Sequence, residues 1–152
     1  MILEYVKVHP DAKTPVRAHP SDAGMDVFYY AERVGTLAIA PGDTAILPTG
    51  IRFGVPHGYM LEVKNKSSIA AKKHLIVGAC VVDPGYDGEL FVNLHNVSRE
   101  PQWIDRGDKI AQVVLVPVVH FRLTESDDGT LYDNEPIAIS DRGDGALGST
   151  GA

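Results

Sequence analysis

The chain has 152 residues, 44% of them hydrophobic and 22% charged, which argues against wholesale disorder and suits one domain with a core of its own. A formal charge of −6 argues against a general nucleic-acid binder, which needs a basic face toward phosphate, so any phosphate ligand has to be met by a local group of cations. No apolar run approaches the ~20 residues of a spanning helix, the opening MILEYVKVHP has no signal-peptide pattern, and a single cysteine leaves no internal disulfide, so a cytoplasmic protein with no membrane partner is expected.

In chain order, the first chemical signal is SDAGMDVFYY, residues 21–30, where Ala23 and Gly24 permit close approach and Asp26 is an acid entering a strand. Turns are written at APGD (40–43), PTG (48–50) and VPHG (55–58). In GYMLEVKN, Tyr59, Leu61 and Val63 share one face while Glu62 and Lys64 share the other, the alternation of a strand. The segment SSIAAKK (67–73) alone reads as helical, with Ser67 placed to cap it; Lys66 and the hydroxyls of Ser67 and Ser68 meet at its start, where exposed N–H groups attract anions. Cys80, among Gly78, Ala79, Val81 and Val82, reads as a small buried thiol.

Next, VVDPGYDGEL places Asp83 at the end of an apolar run and the start of a turn. Such an aspartate satisfies the turn's backbone N–H groups or activates a water, and Tyr86 lies flat against a ring or covers the hairpin. In GELFVNLHNV, Leu90, Val92 and Leu94 alternate with Asn93 and His95, a second strand. After the RGDK turn (106–109), IAQVVLVPVV reads as a buried strand whose Pro117 sets its end at an edge or bulge; Gln112 within it needs a partner, backbone or ligand. Past Leu123 the pattern dissolves, so residues 1–123 read as the domain and 124–152 as an arm. The acidic ESDDGT stretch reads as a solvated turn or a partner site. The arm ends in RGDGALGSTG, whose glycines, Ser149, Thr150 and Arg142 suit phosphate oxygens, although no P-loop GK[ST] is present and a plain flexible tail has the same composition. Many short strands punctuated by turns point to a sandwich, barrel or jelly roll.

Taken together, AGMD, NKSSIA, VVDPGYDGEL, GDKIAQVV and RGDGALGSTG, ordered over residues 23–151, resemble the five-motif series of the trimeric dUTPases, which hydrolyse dUTP to dUMP and pyrophosphate. The resemblance implies an all-β jelly roll and a homotrimer in which the C-terminal arm of one subunit closes a site on others. It implies Mg²⁺ as cofactor, held chiefly through the substrate phosphates and water, with Asp26 outer-sphere and no direct protein ligand. Asp83 would be the general base for water attack on the α-phosphorus, and Tyr86 would lie beneath the deoxyribose. Backbone atoms of the 77–88 hairpin, Gly78 and Val82 among them, would read the uracil. Lys66, Ser67, Ser68 and Gln112 would meet phosphate, and Arg142, Leu147, Gly148, Ser149 and Thr150 would form the lid. The six histidines would be incidental. Such an enzyme limits uracil incorporation into DNA and supplies dUMP for dTMP synthesis.

The match departs from the family at Leu147, where phenylalanine is usual, at Lys66, where arginine is usual, and at Cys80, where glycine is usual; Pro84 and Gly85 also differ. The DPGY stretch resembles dCTP deaminases of the same fold as well. Asn93 stands where those enzymes carry a catalytic glutamate, however, and Ala71 where they carry an arginine. A nucleotide-responsive binding protein is a further reading, as an additional role.

Overall fold

The computed structural model describes residues 1–127 and 129–132; the expected lid residues Arg142, Leu147, Gly148, Ser149 and Thr150 lie outside the described residues. The chain divides into a body, Met1–His120, and a second unit beginning at Phe121. All the secondary structure described below belongs to the body.

The body is built from β1 (Glu4–Lys7), β2 (Met25–Phe28), β3 (Thr36–Ile39), β4 (Thr44–Pro48), β5 (Ile51–Gly54), β6 (Tyr59–Lys64), α1 (Ser67–Lys73), β7 (Leu75–Val77), β8 (Val81–Val82), β9 (Phe91–Asn96), β10 (Gln102–Asp105) and β11 (Lys109–Pro117). The strands form four antiparallel sheets with the orders β1-β5, β10-β3, β2-β11-β6-β8 and β4-β9-β7. No two strands consecutive in sequence are paired in these sheets, so each ladder is closed by a crossover, and the result is an all-β jelly roll.

Alternation is what lets these strands face one core. Leu61 and Val63 from β6, Val92 and Leu94 from β9, and Ile110, Ala111 and Val113 from β11 are buried together with Val27, Leu47, Ile51 and Ile104. Lys64 is exposed, and Glu62, Asn93 and His95 are only half-buried on the opposite faces of β6 and β9, as period-two alternation requires. At the PTG turn, Gly50 has φ +71° and a Cβ there would strike the Ala12 methyl, so both the backbone conformation and the packing demand glycine.

Two local expectations are corrected. Ser67 does not cap α1: the chain enters the helix from an extended Lys66 (φ −91°, ψ 125°), which is the cap residue, and Ser67 already lies within the first turn. The Lys66 carbonyl accepts from the N–H groups of Ile69 and Ala70, and no side-chain cap bond forms. Cys80 is half-buried rather than buried, because its place beside the edge of β6, where its carbonyl accepts from Val63 N–H at 2.7 Å, leaves one side of it open. Pro117 ends β11 paired with Tyr59 on one side only, the β2 ladder having stopped at Val113, so it lies at an edge as expected; the bulge is at the other end, between Lys109 and Ala111.

Asn96 ties separate parts of the fold together. Its Nδ2 donates to the carbonyls of Ile39 and Glu100, each at 2.8 Å, while Oδ1 accepts from the N–H and hydroxyl of Ser98. Asn96→Ala would strand these buried groups, each costing about 1–3 kcal/mol. The expected outcome is a melting temperature lower by about 5–10 °C, read by circular dichroism; an unchanged melt would show that water replaces the amide at no cost.

Candidate active site

The register of the four-stranded sheet sets the first half of the site. Asp26 on β2 lies opposite Gln112 on β11, which lies opposite Lys64 on β6. Directly opposed residues share a face, so the three side chains line up across the sheet. Asp26 is only 5% exposed. Two cations answer it: Lys66 Nζ stands 2.8 Å from Oδ1 and Lys109 Nζ 2.7 Å from Oδ2. The Lys109 contact is a charge contact rather than a well-aligned hydrogen bond, since Oδ2 has no hydrogen-bond partner of normal geometry. Burial pushes the Asp26 carboxyl up, but the Lys109 and Lys66 ammoniums outweigh it and hold the group below the usual carboxylate range. One anion and two cations leave a local excess of one positive charge in a chain of net charge −6.

Gln112 is half-buried, and its partner is backbone: Nε2 donates to the Asn65 carbonyl at 2.9 Å. A Cβ at Gly24 would fall on the Gln112 side-chain oxygen, so any larger residue there would have to displace the Gln112 amide. Asn65 was not singled out by its sequence, yet its Oδ1 accepts from Val77 N–H at 2.7 Å. It joins the end of β6 to the end of β7 beyond α1. Ser67 and Ser68 are exposed at the start of α1, next to Lys66.

The second half of the site lies around the turn after β8. The Asp83 carbonyl accepts from Tyr86 N–H at 3.3 Å, and Gly85, at φ +84°, supplies the left-handed residue that such a turn requires after proline. The backbone therefore closes this turn, and the exposed Asp83 carboxylate is not consumed in doing so. Tyr86 donates its hydroxyl to the Glu89 carbonyl at 2.9 Å while the residue stays 47% exposed, so the ring is anchored at its tip and open on its face. A cavity of about 220 Å³ is lined by Val81, Val82, Asp83, Tyr86, Leu90 and Phe91 among others. A larger one, about 420 Å³, lies beyond Tyr86 against β1 and β5; it holds none of the other expected site residues.

The expected 77–88 hairpin is not formed by β7 and β8, which pair with β9 and β6 in different sheets; Gly78 sits exposed in the loop between them, and its N–H donates to the Asn93 carbonyl at 2.9 Å. A Cβ there would collide with Asn93 Oδ1 and His95 Nε2, which are 2.9 Å apart. Asn93 Nδ2 also donates to the Thr44 hydroxyl at 2.7 Å. His95 thus has a structural part, as do His9, stacked on Tyr30, and His57, stacked on His120.

The structure therefore brings Asp26, Lys66 and Gln112 into one cluster, and Val82, Asp83 and Tyr86 into another. The sheet order β2-β11-β6-β8 sets Asp26 and Val82 on opposite edge strands. Three strand spacings, about 14 Å, separate those strands. Lys109, a full partner of Asp26, was missed from the sequence, where it reads only as the last residue of a turn. Among the described residues no group of three or more histidine, cysteine, aspartate or glutamate side chains is placed to hold a metal ion.

A sequence model of the dUTPase family matches residues 10–151. The deoxyuridine 5'-triphosphate nucleotidohydrolase of Mycolicibacterium gilvum is 38% identical over 152 residues, covering 98% of this chain and 94% of that protein. The protein of the same name from Gloeobacter violaceus is 39% identical over 139 residues, covering 90% and 88%. Among solved structures, a mutant dUTPase from phage phi11 of S. aureus, described with a structural Mg(II) ion, superposes with a TM-score of 0.74 at 25% identity over 84% of this chain and 97% of that one. A mutant dUTPase of Staphylococcus bacteriophage 80alpha with dUpNHpp gives a TM-score of 0.79 at 24% identity over 99% of both chains, a likeness of fold.

The lowered Asp26 carboxyl carries a stability prediction. A group whose folded pKa lies below its unfolded value stabilises the fold above the unfolded value and loses that contribution as pH falls through the folded one. Asp26→Asn should therefore melt below the wild type at neutral pH, and the gap should close as pH drops below about 4. Melting curves across that range check it; a gap that stays constant with pH would show that the amide's packing, not the charge, is responsible.

Proposed function

The chain belongs to the dUTPase family and is a dUTP diphosphatase hydrolysing dUTP to dUMP, and we propose that it does so by water attack at the α-phosphorus, with Asp83 as general base. The observation that carries this reading is the turn at Asp83: its hydrogen bond is made by backbone, which leaves a carboxylate at the mouth of a cavity beside a pinned tyrosine. Asp83 orients the water and takes its proton as the oxygen bonds to the α-phosphorus. The bond from that phosphorus to its bridging oxygen then breaks, and pyrophosphate leaves. Positioning and charge stabilisation supply most of such a rate.

The open face of Tyr86 covers the deoxyribose. Backbone groups around Gly78 and Val82 read the uracil edge, the strand below Gly78 being propped by Asn93 and His95. Lys66, Ser67, Ser68 and Gln112 face the phosphates, and Asp26 anchors Lys66. The arm, residues 124–152 beyond the catalytic domain 1–123, closes the site with Arg142, Leu147, Gly148, Ser149 and Thr150.

The two clusters belong to opposite edges of one sheet, which supports a site completed between copies of the chain, as in a homotrimer. The donor set fits a magnesium ion that arrives on the triphosphate, because the one buried carboxylate among the described residues, Asp26, is already answered by two ammoniums and suits a water-mediated contact. When bound, that ion neutralises phosphate charge. The Asn93 amide, committed to Thr44 and His95, is no carboxylate, and this favours dUTP hydrolysis over deamination of dCTP. We place the enzyme in the cytoplasm, in keeping with its single, unbridged cysteine.

Pyrophosphate release with Mg²⁺ from dUTP, dCTP, dTTP and UTP tests the chemistry. The wild type should be selective for dUTP, and Asp83→Asn should lose activity by about 10²-fold or more. Conversion of dCTP to a uracil nucleotide would transfer the chain to the deaminases, and full activity in Asp83→Asn would remove its role as base. Light scattering should give the mass of three chains, whereas a monomer at micromolar concentration would overturn the shared site.

A further inference from the structure

We infer that Lys109 is a positioning residue for phosphate binding: it neutralises Asp26 and so leaves the Lys66 ammonium available to the triphosphate. The inference rests on the reading of Lys66 as a phosphate-facing residue in dUTP hydrolysis. Asp26 and the two lysines come from β2, from the residue before α1 and from the first residue of β11, and nothing in their spacing along the chain joins them. The bulge between Lys109 and Ala111 is the device that does so. An extra residue in one strand re-aims the side chains beside it, and here Ile110 and Ala111 are both buried in succession while Lys109 Nζ stands 2.7 Å from Asp26 Oδ2.

The physical argument is about the sharing of one anion. If Lys66 were the only cation, the pair would be electrically neutral, and an anionic ligand would have to pull the ammonium off a buried carboxylate that then had no counter-charge, a costly exchange. With Lys109 on the other oxygen, the carboxylate keeps a counter-ion when Lys66 turns outward. The two ammoniums also repel each other across one carboxylate, which weakens the hold on each. Exposure alone does not assign the parts, since the Lys66 side chain is 24% exposed and that of Lys109 42%; the sharing of the carboxylate does. The second cation therefore supports binding without having to touch the ligand itself.

A double-mutant cycle distinguishes this from a purely structural part and from direct phosphate contact. Lys109→Met should raise KM for dUTP by about ten- to a hundredfold, as expected for one charge-assisted contact, with kcat changed far less; Lys109→Arg should restore most of the loss. The affinity for inorganic triphosphate, read by calorimetry, should fall in parallel. In an Asp26→Asn background, Lys109→Met should have little further effect on either quantity, because the anion it neutralises is gone. An undiminished effect in that background would mean that Lys109 meets phosphate directly, and a wild-type KM in Lys109→Met would mean that it does nothing for binding; either overturns the inference. Melting curves of each variant separate loss of fold from loss of affinity, and a fall in kcat with the melt, without rescue by arginine, also counts against it. Should the wild type bind triphosphate yet fail to hydrolyse dUTP, the catalytic reading falls while the calorimetric cycle still decides the part played by Lys109.

Discussion

Strand β11 hydrogen-bonds to β2 along one side and to β6 along the other, and its register against both decides whether Asp26, Gln112 and Lys64 stand in a row. A slip of one residue would turn that row to the opposite face, exchanging polar groups for the buried Val113 and Val63. The apolar alternation penalises the slip, and the bulge near Lys109 absorbs the mismatch at the strand's start. Core packing and the electrostatics of the cation cluster are consequently one problem with one solution.

The same sheet explains how a net-acidic protein comes to hold a locally cationic cluster. A carboxylate at 5% exposure is expensive unless paired, and pairing it twice converts a buried cost into a local surplus of positive charge. The turn after β8 is arranged differently: an anchored ring, a small cavity and an Asp83 carboxylate that the turn's backbone bond leaves over. The cationic cluster and the turn carboxylate are thereby separated, each set up by its own local contacts.

Much of this was legible in the residues. Alternation in 58–65 and 88–97 gave two central strands and their buried faces, and the ordered motifs gave the family and the jelly roll. What stayed hidden depends on pairing between distant parts of the chain. Lys109 follows a turn, and only the β2-β11 ladder shows that Asp26 is its neighbour. Asn65 looked like a strand end, and only the approach of Val77 reveals what its side chain holds. The cap at α1 was misplaced by one residue because a serine before a short helix is a good cap by type, whereas the extended backbone at Lys66 settles the boundary. The short strands β1, β3, β5 and β8 have too few residues for a period to emerge.

Crossover pairing also has a consequence for how the protein comes into being. On the ribosome β2 emerges early, but the strand that must lie beside it, β11, is among the last pieces of the body to be made. Until then Asp26 has no sheet neighbour on that side, and β6 lacks its partner too. Synthesis thus yields an unfinished sheet with open edges, exposed to misassociation for as long as translation takes. The cation cluster around Asp26 is not complete until Lys109 has been made and β11 has paired, whereas the turn at Asp83 draws its own contacts from residues 81–91, so a translation product stalled between the two carries one cluster without the other.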